Sequence, residues 1–336
     1  NGKPNETNFS KSISLPLLDF SQTLLSLALP SVYSKNIQKG GIPIRIRGAI
    51  AISLFLAYLT AMTSCTAADD ININESQTIA FLEEAVSYLE ENGQAKAIAE
   101  FNNATGQFVR GELYIFGYDF NGTCIVHPIK PELIGQTGLL DVNGVDVVGR
   151  EIDLAKQGGG TMYIVFSNPA HEGKEELKQV YIENINDSLY LGSGYYLSNI
   201  SATFDGEEMK NLSDYVETAL LYATDNGKEE ALQAFNDPAG NFTADGRYIF
   251  AYDYEGNVLA LPHQLELLAV SRIDAQDPNG VDFVRQIIDV AKAGSGFTYY
   301  IYPDPDENMT EELKLSYVVD VDGTWFLGSG IYSKGE

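Results

Sequence analysis

Apolar residues recur at Ile79, Leu82, Ala85, Val86 and Leu89, a spacing that lays them along one face of a helix. Asn92-Gly93 closes that helix, because glycine supplies the left-handed cap, and a second short helix is expected over Gln94–Phe101. Alternation at period two then takes over in Gly111–Pro128, GELYIFGYDFNGTCIVHP, where two β-rich runs flank the turn Asn121-Gly122. That pattern reads as a hairpin. The polar loop Asp141–Asp146 leads to a helix carrying Val147, Val148, Ile152 and Ala155, then Gly158–Gly160 opens a strand over Thr161–Phe166. The last two strands hold Lys178 and Tyr181, each lysine being read at a strand start, and close at Leu191-Gly-Ser-Gly-Tyr-Tyr196.

The whole order then returns. Tyr114, Phe116, Tyr118, Asp119, Gly122 and Pro128 reappear as Tyr248, Phe250, Tyr252, Asp253, Gly256 and Pro262, each 134 positions on. From Asp277 the offset is 136, so the second copy gains two residues between Pro262 and Asp277. Two copies of one unit are therefore expected, over 75–200 and 208–336. Each reads helix, helix, strand, strand, helix, strand, strand. Hairpin-joined strands favour an antiparallel sheet with helices packed on it, an α+β fold.

Composition changes the picture at the N-terminus. Residues 1–65 carry six basic and two acidic side chains, so the rest of the chain, near −30, holds all the excess of a net charge of −26. A surface that acidic repels phosphate backbones and argues against nucleic-acid partners. Arg45 and Arg47 precede an uncharged stretch, Gly48–Ala68, whose small residues end at Cys65. Residues 1–68 thus read as an extension with a signal or anchor, and Met62-Thr63-Ser64-Cys65 resembles a lipobox whose cysteine is the lipid anchor. An uncleaved membrane helix and a buried helix stay open as alternatives, since about 20 apolar residues span a bilayer. In the first two readings the remainder is extracytoplasmic and membrane-anchored.

The ordered motifs resemble the type-2 branch of the Cache domains, extracytoplasmic sensory modules with a PAS-like sheet. The first copy supplies Tyr118-Asp119, Gly122, His127-Pro128, Asp141-x-Asn143-Gly144, Gly159, Tyr163, Lys178, Tyr181, Gly192, Gly194 and Tyr196. The resemblance implies two tandem domains and binding of small molecules, often short organic acids, in a pocket on one sheet face, with the first copy the better-preserved site. It also implies a role in signal transduction. The second copy departs from it, with Leu261 in place of His127 and His263 two residues further on. No kinase or chemoreceptor region follows before Glu336, so a binding protein without its own output is expected, read by a membrane sensor kinase or transporter.

Candidate ligand contacts follow from chemistry. His127 can donate a hydrogen bond to a carboxylate, and His263 could do so in another register; a surface histidine is the plain alternative. Lys178 and Lys314 are cations at equivalent places in an acidic protein, suited to an anionic ligand or to a solvated strand edge. Phe116, Tyr118 and Tyr163, with Tyr252 and Tyr299 in the second copy, alternate along strands as core or pocket lining. Asp141, Asn143 and Asp146 fit a helix-capping turn better than a calcium loop, which would need a downstream glutamate. No Cys/His cluster, nucleophile elbow or phosphate loop is present, so neither a metal, a cofactor nor catalysis is expected. The rival reading is a surface or adhesion protein whose Cache-like folds have lost the pocket.

Overall fold

The computed structural model describes residues 73–244 and 246–333. In the first copy, α1 (Glu75–Asn92) and α2 (Gln94–Phe101) are followed by β1 (Val109–Arg110), β2 (Leu113–Tyr114), β3 (Phe116–Tyr118) and β4 (Cys124–Val126). Then come α3 (Val147–Lys156), β5 (Gly159–Asn168), β6 (Lys174–Asn186) and β7 (Leu189–Tyr196). The second copy repeats them as α4 (Gly206–Asn226), α5 (Lys228–Phe235), β8 (Thr243–Ala244), β9 (Arg247–Tyr248), β10 (Phe250–Asp253) and β11 (Val258–Ala260). It ends with α6 (Phe283–Lys292), β12 (Ser295–Asp304), β13 (Thr310–Asp320) and β14 (Trp325–Tyr332). The stretch Gly48–Ala68, with Cys65, lies outside the described residues. Among the described residues no helix is long and apolar enough to cross a membrane.

The helix ends are set by side chains. Asn74 accepts the Gln77 N–H at 3.2 Å while Gln77 Oε1 accepts the Asn74 N–H at 3.1 Å, a reciprocal cap that starts α1 at Glu75. The apolar period becomes visible only after this polar start. At the hairpin tip Gly122 adopts φ 81 and its N–H reaches Asp119 O at 3.0 Å, while Asp119 Oδ1 takes the N–H groups of Asn121 and Thr123.

Each copy builds one antiparallel five-stranded sheet, in the order β4-β3-β7-β6-β5 and, correspondingly, β11-β10-β14-β13-β12. Period two divides each sheet into two apolar faces. Leu113, Ile115, Leu189 and Leu191 pack under Phe81, Leu82 and Phe101 of the two N-terminal helices. Tyr114, Phe116, Tyr118, Ile164, Phe166 and Tyr190 pack on the other face beneath α3.

Toward β5 the helix-side face is covered by the second copy instead. Tyr163, Val165 and Leu177 meet Val281, Tyr299 and Leu313 in one buried cluster. Asn143 Nδ2 donates to Tyr299 Oη at 2.7 Å, and Asn279 Nδ2 donates to Tyr163 Oη at 2.9 Å. The partners are repeat equivalents, so the two copies clasp each other about a pseudo-two-fold axis.

Candidate functional site

Lys178 lies inside β6, which begins at Lys174, and its side chain points to the α3 face of the sheet. It is only 1% exposed. The motif Gly-x-Gly on β7 makes room for it: a Cβ at Gly194 would sit 3.0 Å from Lys178 Cε and 2.4 Å from Gln179 O, and one at Gly192 would strike the Phe116 ring at 2.4 Å. The Nζ hangs 3.8 Å from the centre of the Tyr114 ring and 5.0 Å from that of Tyr196, so ring quadrupoles partly replace its hydration. Among the described residues no hydrogen-bond acceptor reaches it. Burial pulls its pKa down to about 7, against the raising influence of Glu112 and Glu151.

His127 joins Lys178 in the cavity wall. Asn102, just past α2, holds its strand end: its Oδ1 accepts the His127 N–H at 2.9 Å and its Nδ2 donates to Ile125 O at 3.1 Å. The ring lies against Tyr114 and Phe166, with centroids 5.3 and 5.5 Å away. Nδ1 accepts the Lys130 N–H at 3.0 Å, which puts the proton on Nε2. Burial, with Lys178 and Lys130 nearby, lowers its pKa to about 3, so the ring is a neutral hydrogen-bond donor at ordinary pH.

Phe116 and Tyr118 line the same cavity, as do Tyr114, Val147 and Glu151. Glu151 was not among the residues singled out in the sequence. It is 1% exposed and accepts the Tyr190 hydroxyl at 3.0 Å. Burial pushes its carboxyl up to about 8, moderated by Tyr190 and Lys178. A signal existed: Val147, Glu151 and Leu154 follow at i, i+4, i+7, so the carboxylate stands within an apolar helical stripe. The side chains leave a cavity of about 10 Å³, roughly the room of one water.

The second copy matches this plan with altered chemistry. Lys314 and Tyr252 line a cavity of similar size, about 10 Å³, together with Leu261 and Ile287 where the first copy has His127 and Glu151. Lys314 Nζ donates to Tyr248 Oη at 2.8 Å and is ringed by Tyr248, Tyr332 and Tyr302 at 4.3, 4.9 and 5.3 Å. Burial lowers its pKa to about 7 as well. His263 is exposed, packs edge-on against Tyr248 at 5.0 Å, and lies outside the cavity wall. Tyr163 and Tyr299 stand at the seam between copies, on the sheet faces turned away from the cavities. Period two gave their alternation but not their side.

A larger concavity lies elsewhere: a cleft of about 670 Å³ in the second copy, walled by Glu208, Asp304, Asp306, Glu307 and Glu312 with Arg247. Its carboxylates repel anions, and size alone does not outweigh the convergent polar groups of the lysine cavities. Tyr332 belongs both to this cleft and to the ring around Lys314. Among the described residues no group of three His, Cys, Asp or Glu is placed to hold a metal ion.

A Cache domain family model matches residues 70–335. The sensor histidine kinase MctS of Rhizobium johnstonii is 31% identical over 131 residues, covering 37% of this chain and 28% of the kinase. The chain therefore spans little more than a quarter of that relative's length. A methyl-accepting chemotaxis protein from Vibrio parahaemolyticus is 26% identical, over 38% of this chain and 88% of that one, with a TM-score of 0.34. The ligand-binding domain of the Pseudomonas fluorescens chemoreceptor CtaA, solved with L-alanine, is 13% identical over 76% of this chain and 88% of its own, with a TM-score of 0.23.

Proposed function

Since this chain belongs to the Cache domain family, we propose that it is an extracytoplasmic sensory module that binds a short carboxylate at Lys178 and His127. The observation that carries this reading is the buried Lys178 ammonium, which no acceptor among the described residues satisfies. A cation in that position is costly unless a counter-charge joins it. A carboxylate would take a charge-assisted hydrogen bond from Lys178 and a second from the Nε2–H of His127, with Tyr114 and Phe116 closing over its carbon chain. A ligand larger than a water must push the lining aside, so binding costs some local rearrangement.

Attachment to the membrane through Cys65, and relay of the bound state to a membrane sensor kinase or transporter, are parts of the same proposal. In this reading the chain works as a binding module and not as a catalyst. The competing structural role is favoured by one fact, the small size of both cavities.

A thermal-shift series on the whole chain against acetate, propionate and butyrate tests the choice. The melting temperature should climb with ligand concentration, as linkage to a bound native state requires, and the climb from the first site should vanish in Lys178→Met. No climb with any carboxylate would favour the structural role.

A further inference from the structure

Two cavities built on one plan differ in the residues that line them. Glu151 of α3 and Ile287 of α6 are repeat equivalents, each the fifth residue of its helix, and both line their cavities. The wall of the first cavity also has His127 where the second has Leu261. In the second cavity three hydroxyls of the lining already have protein partners: Tyr248 takes Lys314 at 2.8 Å, Tyr300 meets Ser316 at 2.8 Å, and Tyr302 donates to Gln264 at 2.5 Å. The lysine is common to both.

We propose that Glu151 sets ligand preference, so that the first cavity takes a short hydroxy acid, while the second, with Ile287 and Leu261, takes a short carboxylate with a plain hydrocarbon chain. This rests on the carboxylate reading above. Tyr190 occupies Oε2 of Glu151, so a hydrocarbon pressed against the residue would bury Oε1 without a partner, whereas a ligand hydroxyl would satisfy it. In the second cavity the same hydroxyl would be stripped of water and would face Ile287. A site built to hydrogen-bond a hydroxyl rejects the analogue lacking it far more strongly than an apolar site rejects the hydroxyl. An ammonium in place of the hydroxyl would bring three donors and a second positive charge into a cavity that already holds Lys178. The cavity offers it one carboxyl, in a wall that also includes apolar Val147 and Ile164.

Calorimetric titration of the full chain with butyrate, 2- and 3-hydroxybutyrate and 3-aminobutyrate tests this, using Lys314→Met to isolate the first cavity and Lys178→Met to isolate the second. At the first cavity one of the hydroxybutyrates should bind at least about tenfold tighter than butyrate; at the second, butyrate should bind tighter than either. Adding Glu151→Leu to Lys314→Met should reverse the first preference, and Glu151→Gln, which can still accept from Tyr190, should keep it. Equal preferences at the two cavities, tightest binding of 3-aminobutyrate at the first, or no change with Glu151→Leu would overturn the inference. The comparison between cavities needs no substitution at Glu151, so it holds even if that variant does not fold. Absence of all carboxylate binding at both cavities would instead bring down the carboxylate reading, and this inference with it.

Discussion

A lysine caged by tyrosine rings weakens the fold that carries it, and this cost can be read as a function of pH. Lys178 falls from its ordinary 10.5 to about 7 through burial. Between those values the unfolded chain binds more protons than the folded one, so stability rises with pH across the window. Below pH 7 the penalty is full. Lys178→Met should therefore raise stability by up to roughly 5 kcal/mol at pH 6 and by much less near pH 10, measured by urea unfolding at each pH. A gain that does not depend on pH would mean that Lys178 keeps its ordinary pKa. Glu151 works with the opposite sign: burial raises it to about 8, so its contribution is whole below pH 4.5 and fades as pH climbs through 8. Ligand binding gives a further check at the same residue. A carboxylate needs the protonated lysine, so its affinity for the first cavity should fall about tenfold per pH unit above 7, by titration calorimetry. An affinity flat from pH 6 to 9 would take the anion contact away from Lys178.

Strands and helices place these groups through a few close approaches. Gly194 passes so near β6 that Gly194→Ala would push a methyl to 2.4 Å from Gln179 O. The expected loss is about 2–3 kcal/mol in chemical unfolding, with ligand binding weakened because Lys178 must move. Gly206, in the first turn of α4, has nothing within 4 Å of its added Cβ, so Gly206→Ala should be neutral or slightly stabilising. If the two alanines behave alike, the close approach is not what fixes these strands. Much of this framework was legible in the sequence, because the 3.6 and 2.0 periods and the glycine turns are local: α2 falls on Gln94–Phe101, the residues the pattern marked. What the pattern could not give was the side of the sheet. Phe116 and Tyr118 line the cavity whereas Tyr163 turns to the seam, although all are aromatic residues on alternating strands. Only the strand order, with β5 at the edge beside the second copy, decides between them. Glu151 escaped for a related reason, since an acidic chain hides one buried carboxylate among many exposed ones.

Across the two copies, the strands that wall the cavities also form the seam. Ile164 and Phe166 of β5 face the first cavity while Tyr163 and Val165 of the same strand meet the second copy; Tyr300 and Tyr302 of β12 face the second cavity while Tyr299 meets the first copy. A ligand that moves β5 therefore strains contacts that the second copy shares. Tyr299 is held twice, accepting from Asn143 at 2.7 Å and donating to Asp141 at 2.9 Å, and Tyr163 accepts from Asn279 at 2.9 Å. Tyr163→Phe and Tyr299→Phe should each cost about 1–2 kcal/mol, since they leave half-buried Asn279 and buried Asn143, respectively, short of a hydrogen bond. The double variant should do more than add these losses. With the clasp weakened at both ends, the single unfolding transition expected of the tandem should separate into two in differential scanning calorimetry, one for each copy. A carboxylate bound at Lys178 would then raise only one of them, whereas in the parent chain it would raise the whole transition. If the double variant still melts in one step that the ligand shifts intact, the copies are coupled by the apolar contacts of the seam, and its reciprocal hydrogen bonds serve only to set the register.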